Sequence, residues 1–339
     1  MAARFHPGRF HVDGFILVLL ATVAVATVFP ARGEAVDVLR WVVVAAIALL
    51  FFLYGARMHP REAVRGLTHW RLHLTILAFT FVVFPLVGLA LRPLVAPTFG
   101  TSLYVGVLFT CLLPSTVQSS IAFTSMARGN VAGAVVSASV SNLLGVVVTP
   151  LLALALLTTS GDVHISASSI VTIVLEILVP FLVGQAARPL VAGVLSRHAR
   201  PTKLVDRGSI VLVVYSAFGE GVREGIWSKV DWWQILALIA GAAVIVAVML
   251  SSTRWVARRW GFDRADVIAI QFCGTKKSLA TGLPIAAVLF TGQPIGLIVL
   301  PLMIFHQVQL MICAWLAGRY SRTAPSRDDG VPVVAGPGA

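Results

Sequence analysis

The sequence has 339 residues, of which 58% are hydrophobic and 12% are charged, and its formal net charge is +12. Soluble globular domains carry about a quarter charged residues, so this composition and a mean hydropathy of +0.91 exclude an ordinary soluble domain. The basic residues are spread along the chain and do not cluster on one soluble face, which excludes a nucleic-acid-binding function.

Apolar runs of about 20 residues predict ten transmembrane helices in chain order. No strong basic segment precedes the first run and no small-residue cleavage site follows it, so we predict a retained helix and not a signal peptide. The sequence therefore predicts an all-α polytopic membrane protein. The ten spans lie near residues 14–30, 39–56, 72–91, 102–126, 130–157, 168–187, 208–221, 232–251, 265–290 and 295–317.

The positions of the basic residues predict the orientation of the chain. Nineteen arginines and lysines fall on the side of the N terminus, five fall on the opposite side, and the remaining two are Lys276 and Lys277 inside span nine. Basic residues are enriched in cytoplasmic loops, so we predict a protein of the cell membrane, inner or plasma, with both termini cytoplasmic. The segment 319–339 is predicted to be a disordered cytoplasmic tail, because it is rich in proline and glycine.

Spans four and nine are each interrupted by polar residues and helix breakers. The first interruption reads "PSTVQSS" at residues 114–120, and the second reads "GTKKS" at residues 274–278. Each is the fourth span of a half that contains five spans, and two such halves would lie in opposite orientations. Secondary transporters are built from inverted repeats of this kind, and their paired interruptions mark the binding site. The alternative is a chance pairing of two kinked helices.

Five segments, in order, carry a resemblance that covers about residues 14–318. They read "FFLYGARMHPREAVRGLTHWRLHLTI", "CLLPSTVQSSIAFTSMARGNVAGAVVSASVSNLLGVVVTPLL", "EILVPFLVGQAARPLV", "FCGTKKSLATGLPIA" and "LPLMIFHQVQLMICAWLA". With them the chain resembles the bile acid:sodium symporter superfamily, in the branch that contains solute carrier family 10 member 7 and its bacterial relatives.

The resemblance implies a fold and a mechanism. After a cytoplasmic N terminus (1–13), two five-helix inverted repeats would occupy residues 14–158 and 166–318. Spans 1, 2, 6 and 7 would form a panel domain, the others would form a core domain, and spans 4 and 9 would be unwound and crossed. Ions would bind behind the crossing, and substrate would bind between core and panel.

The sodium-site residues of the family are only partly kept in this chain. Counting from the shared "ARGN" at residues 127–130, Ser120 keeps a site serine, whereas apolar residues replace three polar ones, at Ile121, Ala134 and Ala138. In span nine the position of the family's glutamate falls on Phe272, or on Gln271 if one residue is inserted. Thr275 replaces the methionine of the family, and Lys276 and Lys277 replace its glutamine and asparagine. The oxygen ligands that sodium requires are thus depleted.

Lys276 and Lys277 need an explanation, because a charge at mid-membrane costs roughly 2.5–3.5 kcal/mol on insertion scales. Three interpretations remain open. In the first, an ammonium group replaces the sodium ion, which makes transport independent of sodium or coupled to protons. In the second, the lysines bind an anionic substrate, together with the N-terminal end of the half-helix that begins near Ser278. In the third, they cap the carbonyls that end the preceding half-helix near Phe272 and have no role in turnover.

Further polar residues are candidates for binding substrate or ion. Glu176 is either a proton relay or counter-charge, or an interfacial residue at a helix start. His306, Gln307 and Gln309 cannot all share one helix face, and Gln307 is the favoured candidate among them. The complete set of candidate binding residues is Thr116, Gln118, Ser119, Ser120, Asn142, Glu176, Gln271, Thr275, Lys276, Lys277, Ser278 and Gln307.

No enzyme motif is present: the sequence has no G-x-S-x-G, no phosphate-binding loop and no metal-spaced set of ligands. The three cysteines, Cys111, Cys273 and Cys313, all lie in predicted spans and are interpreted as packing residues. We therefore predict a secondary transporter without a cofactor, apart from sodium or a proton as the coupling ion. Its partners would be a small organic anion and the lipid bilayer, without nucleic acid. The alternative is a non-transporting membrane regulator of ion or lipid homeostasis on the same fold.

Overall fold

The computed structural model describes residues 14–57, 69–159, 174–223, 225 and 230–323. Their regular secondary structure is entirely helical. The predicted cytoplasmic N terminus, the beginning of predicted span six and the chain from residue 324 onward lie outside the described residues. The last helix continues to Arg322, so residues 319–322 of the predicted tail are helical.

Thirteen helices follow one another along the described chain. They are α1 (Gly14–Val28), α2 (Glu34–Arg57), α3 (Trp70–Ala90), α4 (Arg92–Phe99), α5 (Thr101–Leu112), α6 (Val117–Met126), α7 (Val131–Thr159), α8 (Val179–Arg197), α9 (Ala199–Arg223), α10 (Trp232–Arg259), α11 (Arg264–Thr275), α12 (Leu279–Leu289) and α13 (Ile295–Arg322). A π-helical turn, Phe79–Val83, lies inside α3, and another, Val174–Leu178, precedes α8.

Six described helices are long and apolar enough to cross a membrane: α2, α3, α7, α8 with its preceding turn, α10 and α13. The pair α5 and α6 forms a seventh candidate, bent by 60° at its break. The chain is therefore an integral membrane protein. Helices α1 and α9 and the pair α11–α12 lie where spans one, seven and nine were predicted, but α1 has only 15 residues and α9 carries several charges. The count of ten spans stays a prediction.

Side-chain caps fix where several of these helices begin. Asp231 and Gln234 form a reciprocal capping box at the start of α10. The Asp263 carboxylate accepts a hydrogen bond from the Asp266 amide at 2.7 Å and starts α11. The Asn130 side chain accepts from the Gly133 amide at 2.8 Å, which places the N-terminus of α7 directly after the α6–α7 turn.

Helices α1, α2, α8 and α9 pack together as one group, in which α2 contacts α8 and α1 contacts α9 most extensively. Two glycines allow α2 and α8 to touch along their backbones. A Cβ atom on Gly55 would overlap the carbonyl oxygen of Phe181, and one on Gly184 would overlap the carbonyl oxygen of Phe52. The contact is reciprocal, which is typical of membrane helices that pack through small residues.

The remaining long helices form a second group, in which α13 lies against α5, α6, α10 and α12, and α11 lies against α3, α6, α7 and α10. The two groups meet mainly where α9 packs on α12 and α13. An apolar cluster seals this contact, including Val214 and Phe218 of α9, Leu283 of α12 and Leu302 of α13. On α6, by contrast, Gln118, Ala122 and Ser125 are exposed, and they form an open face of this helix near the break between α5 and α6.

Candidate functional site

The two broken spans meet at their breaks, residues 113–116 between α5 and α6 and residues 276–278 between α11 and α12. A backbone hydrogen bond joins them directly, from the Ser278 amide to the Pro114 carbonyl at 2.9 Å. The Ser115 hydroxyl donates to the Cys273 carbonyl at 2.7 Å, and the Thr116 hydroxyl donates to the Lys277 carbonyl at 2.8 Å. Each break therefore satisfies the backbone groups that the other leaves free.

Helix α7 supports the crossing from one side. The Ser115 amide donates to the Ser141 hydroxyl at 3.0 Å, and the Thr281 hydroxyl, in the first turn of α12, donates to the Asn142 side-chain oxygen at 2.8 Å. The Ser278 hydroxyl also accepts from the Thr281 amide at 3.2 Å, so Ser278 caps the N-terminus of α12. Asn142 and Ser278 thus hold the second half of span nine in place.

The ammonium of Lys277 is enclosed by three backbone carbonyls. Its Nζ donates to the carbonyl oxygen of Thr80 at 2.9 Å, to that of Cys111 at 2.8 Å and to that of Leu113 at 2.8 Å. It also lies 4.1 Å from the centre of the Phe84 ring, within the range of a cation–π interaction. The side chain is completely buried.

The three carbonyls are available because two helices are irregular at this level. Helix α5 ends at Leu112, so Cys111 and Leu113 have no helical amide four residues ahead to bond them. In α3 the Phe84 amide donates to the Phe79 carbonyl instead of the Thr80 carbonyl, and the next residue, Pro85, has no amide hydrogen. The Lys277 ammonium thus occupies a cage of three carbonyls that the irregular helices leave free.

Three carbonyl oxygens can only accept hydrogen bonds, and a neutral amine has only two hydrogens to donate. The cage therefore favours the protonated form of Lys277, which alone can donate to all three carbonyls. Among the described residues, no carboxylate forms an ion pair with Lys276 or Lys277. No group of three or more His, Cys, Asp or Glu side chains in the described chain is placed to hold a metal ion.

The backbone of Lys277 is also held, by α13. The Gln309 side chain accepts from the Lys277 amide at 2.9 Å and donates to the Lys277 carbonyl at 2.8 Å. His306 Nδ1 lies 3.0 Å from the Gln309 amide nitrogen. Gln309 and His306 therefore face the crossing, whereas the side-chain oxygen of Gln307, the favoured candidate from sequence, is buried without a hydrogen-bond partner among the described residues.

Lys276 has a different environment from its neighbour. Its Nζ donates to the Ser119 hydroxyl at 3.1 Å and lies 3.9 Å from the centre of the Phe123 ring. Both partners belong to α6, one turn apart. Like Lys277, Lys276 is completely buried, but no backbone carbonyl contacts its ammonium among the described residues.

The other predicted residues of the broken spans are only partly brought together. Ser120 is buried with its hydroxyl 3.3 Å from that of Ser115, and Gln118 is exposed on α6. Thr275 is buried, and its hydroxyl has no partner in the described chain.

Gln271 and Glu176 lie away from the lysines. The Gln271 side chain donates to the Leu250 carbonyl at 2.8 Å and accepts from the Tyr320 hydroxyl at 2.9 Å, which ties α11 to α10 and α13. Glu176 is half-buried in the π-helical turn that packs against α2, with Arg40 as the basic side chain that acts on its charge.

Sequence reasoning missed two residues that build the site, Thr80 and Ser115, and it favoured Gln307 over Gln309, which holds the backbone of Lys277. Thr80 contributes only its backbone carbonyl. Its one signal in the sequence is Pro85, five residues later, which has no amide hydrogen to bond that carbonyl. One of the three interpretations had the lysines cap the half-helix that ends near Phe272. The structure differs, because Ser115 caps the Cys273 carbonyl there and Lys277 caps the half-helix of the other broken span.

We expect Gln309→Leu to lower the free energy of unfolding by about 1–3 kcal/mol, because it leaves the buried amide and carbonyl of Lys277 without a paired side chain. Gln307→Leu is the matched control on the same helix and should change stability by less than about 0.5 kcal/mol. Denaturation of both variants in detergent checks this. Equal losses would show that the Gln309 contact is not the cause.

Long apolar helices packed around a buried polar crossing are typical of secondary transporters. Residues 13–322 match the SBF-like CPA transporter family, and the chain belongs to this family.

Three relatives illustrate the match. The chain is 51% identical over 327 residues to "Uncharacterized protein PA2026" of Pseudomonas aeruginosa, with 96% of this chain and 97% of the relative covered. It is 46% identical over 311 residues to "Putative symporter YfeH" of Escherichia coli K12, with 92% and 93% covered. It is 30% identical over 292 residues to "Sodium/bile acid cotransporter 7" of Rattus norvegicus, with 85% and 86% covered.

Proposed function

We propose that this protein is a secondary transporter of a small organic anion in which the Lys277 ammonium takes the place of a coupling sodium ion. The observation that carries the proposal is the cage of three carbonyl oxygens around Lys277 Nζ, at 2.8–2.9 Å. Carbonyls released by broken helices are the groups with which transporters coordinate sodium. A cage that already contains a cation has no need of a second one.

The charge of the site supports an anionic cargo. Two lysines are buried at the crossing, and no described carboxylate pairs with them. The start of α12, capped by Ser278, adds the positive end of a helix dipole at the same place. Such a site attracts a negative group and disfavours a free cation. One relative is named as a sodium/bile acid cotransporter, which supports an organic substrate for this chain as well.

The packing of the two helix groups supports alternating access. The group of α1, α2, α8 and α9 acts as the panel, and the group of α3, α5–α7 and α10–α13 acts as the core. They are sealed together by the apolar contact of α9 with α12 and α13, whereas α6 has an exposed face beside the crossing. With both termini cytoplasmic, span four ends at the cytoplasmic side, and α6 is its second half. The open face of α6 would therefore face the cytoplasm, and the cargo would enter or leave there.

Thermal denaturation in detergent, with sodium against choline at equal ionic strength, tests the proposal. Wild type should show no response specific to sodium. Lys277→Ala empties the carbonyl cage, so it should be less stable than wild type and regain stability when sodium is added. A ligand at 100 times its dissociation constant stabilises by about 2.7 kcal/mol, which is a measurable effect.

Lys276→Ala is the matched control for the sodium test, because its ammonium contacts one hydroxyl and no carbonyl. It should not respond to sodium. Saturable stabilisation of wild type by sodium would contradict the proposal. Uptake of labelled taurocholate into proteoliposomes without a sodium gradient then tests the cargo, and that anion is chosen because of the names of the relatives.

A further inference from the structure

The two adjacent lysines differ in the kind of hydrogen-bond partner that they have. Lys277 is bonded to three carbonyls, which accept and never donate. Lys276 is bonded to the Ser119 hydroxyl, which can either accept from an ammonium or donate to a neutral amine. The surroundings of Lys277 therefore favour its protonated form, and those of Lys276 are compatible with both states.

Lys276 is also separated from the open face of α6 by only one layer of side chains. Its partners Ser119 and Phe123 are half-buried, and the neighbouring Gln118 and Ala122 on the same helix are exposed. The Ser119 hydroxyl thus stands between the buried amine and the exposed side. A hydroxyl in this position can pass a proton in either direction.

The groups around Lys276 are consistent with Lys276 as the residue that exchanges a proton. The thiols of Cys313 on α13 and Cys273 on α11 are the titratable groups that act on it. His306 on α13 points toward the Lys277 carbonyl and Gln309. The side chains facing Lys276 from α6 are Ser119 and Phe123, and neither carries a charge.

We infer that Lys276 is the proton-binding group of the transport cycle, so that the cargo anion moves together with a proton. This inference rests on the proposed transport function. When the site opens, an N–H bond of the Lys276 ammonium breaks and its proton passes to the Ser119 oxygen. The proton of that hydroxyl passes to water. The neutral amine then accepts a hydrogen bond from Ser119, and the reverse transfer reloads it on the other side of the membrane.

Acetylation of the purified full-length protein in liposomes with acetic anhydride tests the inference without any substrate, because only a neutral amine reacts. Mass spectrometry of the peptide that contains both lysines measures each separately, between about pH 6 and about pH 9.5. We expect acetylation of Lys276 to rise at least tenfold across this range and Lys277 to stay unmodified. Ser119→Ala should raise Lys276 acetylation at pH 7 by up to about tenfold, because the hydrogen bond of Ser119 to the charged amine is stronger than its bond to the neutral amine, and both are lost.

Ser125→Ala is the matched control, since Ser125 is exposed on the same helix, and it should leave the acetylation of Lys276 unchanged. Equal modification of both lysines would overturn the inference. So would an unreactive Lys276 at every pH, because a proton carrier must meet water during its cycle. If Lys276 titrates as expected but no anion is transported, the proposed function fails and the proton site stands. If sodium-independent transport is found while Lys276 stays unreactive, only this inference fails.

Discussion

Lys277→Met is expected to lower the free energy of unfolding by about 3–5 kcal/mol, because three buried carbonyls lose their donor at a cost of roughly 1–3 kcal/mol each, partly offset because no ammonium is buried any longer. Methionine fills a similar volume but donates no hydrogen bond. The carbonyls of Thr80, Cys111 and Leu113 would therefore be left buried without a donor. Chemical denaturation of the purified protein in detergent measures the loss.

Lys276→Met is the control for this prediction and should cost about 1 kcal/mol, because it leaves one half-buried hydroxyl without its partner. A loss for Lys277→Met no greater than that for Lys276→Met would show that the carbonyl cage does not hold the crossing together. The pair separates the effect of the cage from the effect of removing any one positive charge from the core.

Gly184→Ala is expected to destabilise the protein by about 3 kcal/mol, at the upper end of the range for overpacked sites. The new methyl group would overlap the Phe52 carbonyl oxygen, and a backbone atom in a packed helix cannot rotate away as a side chain can. Gly55→Ala meets the Phe181 carbonyl in the same way and should have a similar effect. Thermal denaturation in detergent compares the variants.

Gly241→Ala is the matched control, since Gly241 lies inside α10 with open space around the position of a Cβ atom. Alanine is the better helix former, so this variant should gain up to about 1 kcal/mol. If Gly184→Ala and Gly241→Ala have equal stabilities, the close approach of α2 and α8 does not matter to the fold.

The helices and both breaks could be predicted from sequence, because apolar runs and helix-breaking residues are local signals. The pairing of "PSTVQSS" with "GTKKS" also identified the two segments that meet. Helix ends were less predictable: α9 begins at Ala199 and not near residue 208, since its first turns carry charged residues that interrupt the apolar run.

The surroundings of the lysines could not be predicted, because they consist of backbone atoms. Every residue has a carbonyl group, so the identities of Cys111 and Leu113 give no indication that their oxygens bind a cation. The different roles of Lys276 and Lys277 follow from the direction in which each side chain leaves the break, and adjacent residues in an extended segment point to opposite sides. Sequence alone gives both residues the same charge and the same apolar neighbours.

The carbonyl cage is built from parts of the chain that are synthesised at very different times. Thr80, Cys111 and Leu113 precede Lys277 by 197, 166 and 164 residues, so the ribosome delivers the acceptors long before their donor. Until the second half is inserted, these oxygens need water or another donor, because unsatisfied carbonyls are costly inside a bilayer. The first half of the chain therefore completes its hydrogen bonding only after Lys277 has been inserted, so the two halves depend on each other to fold.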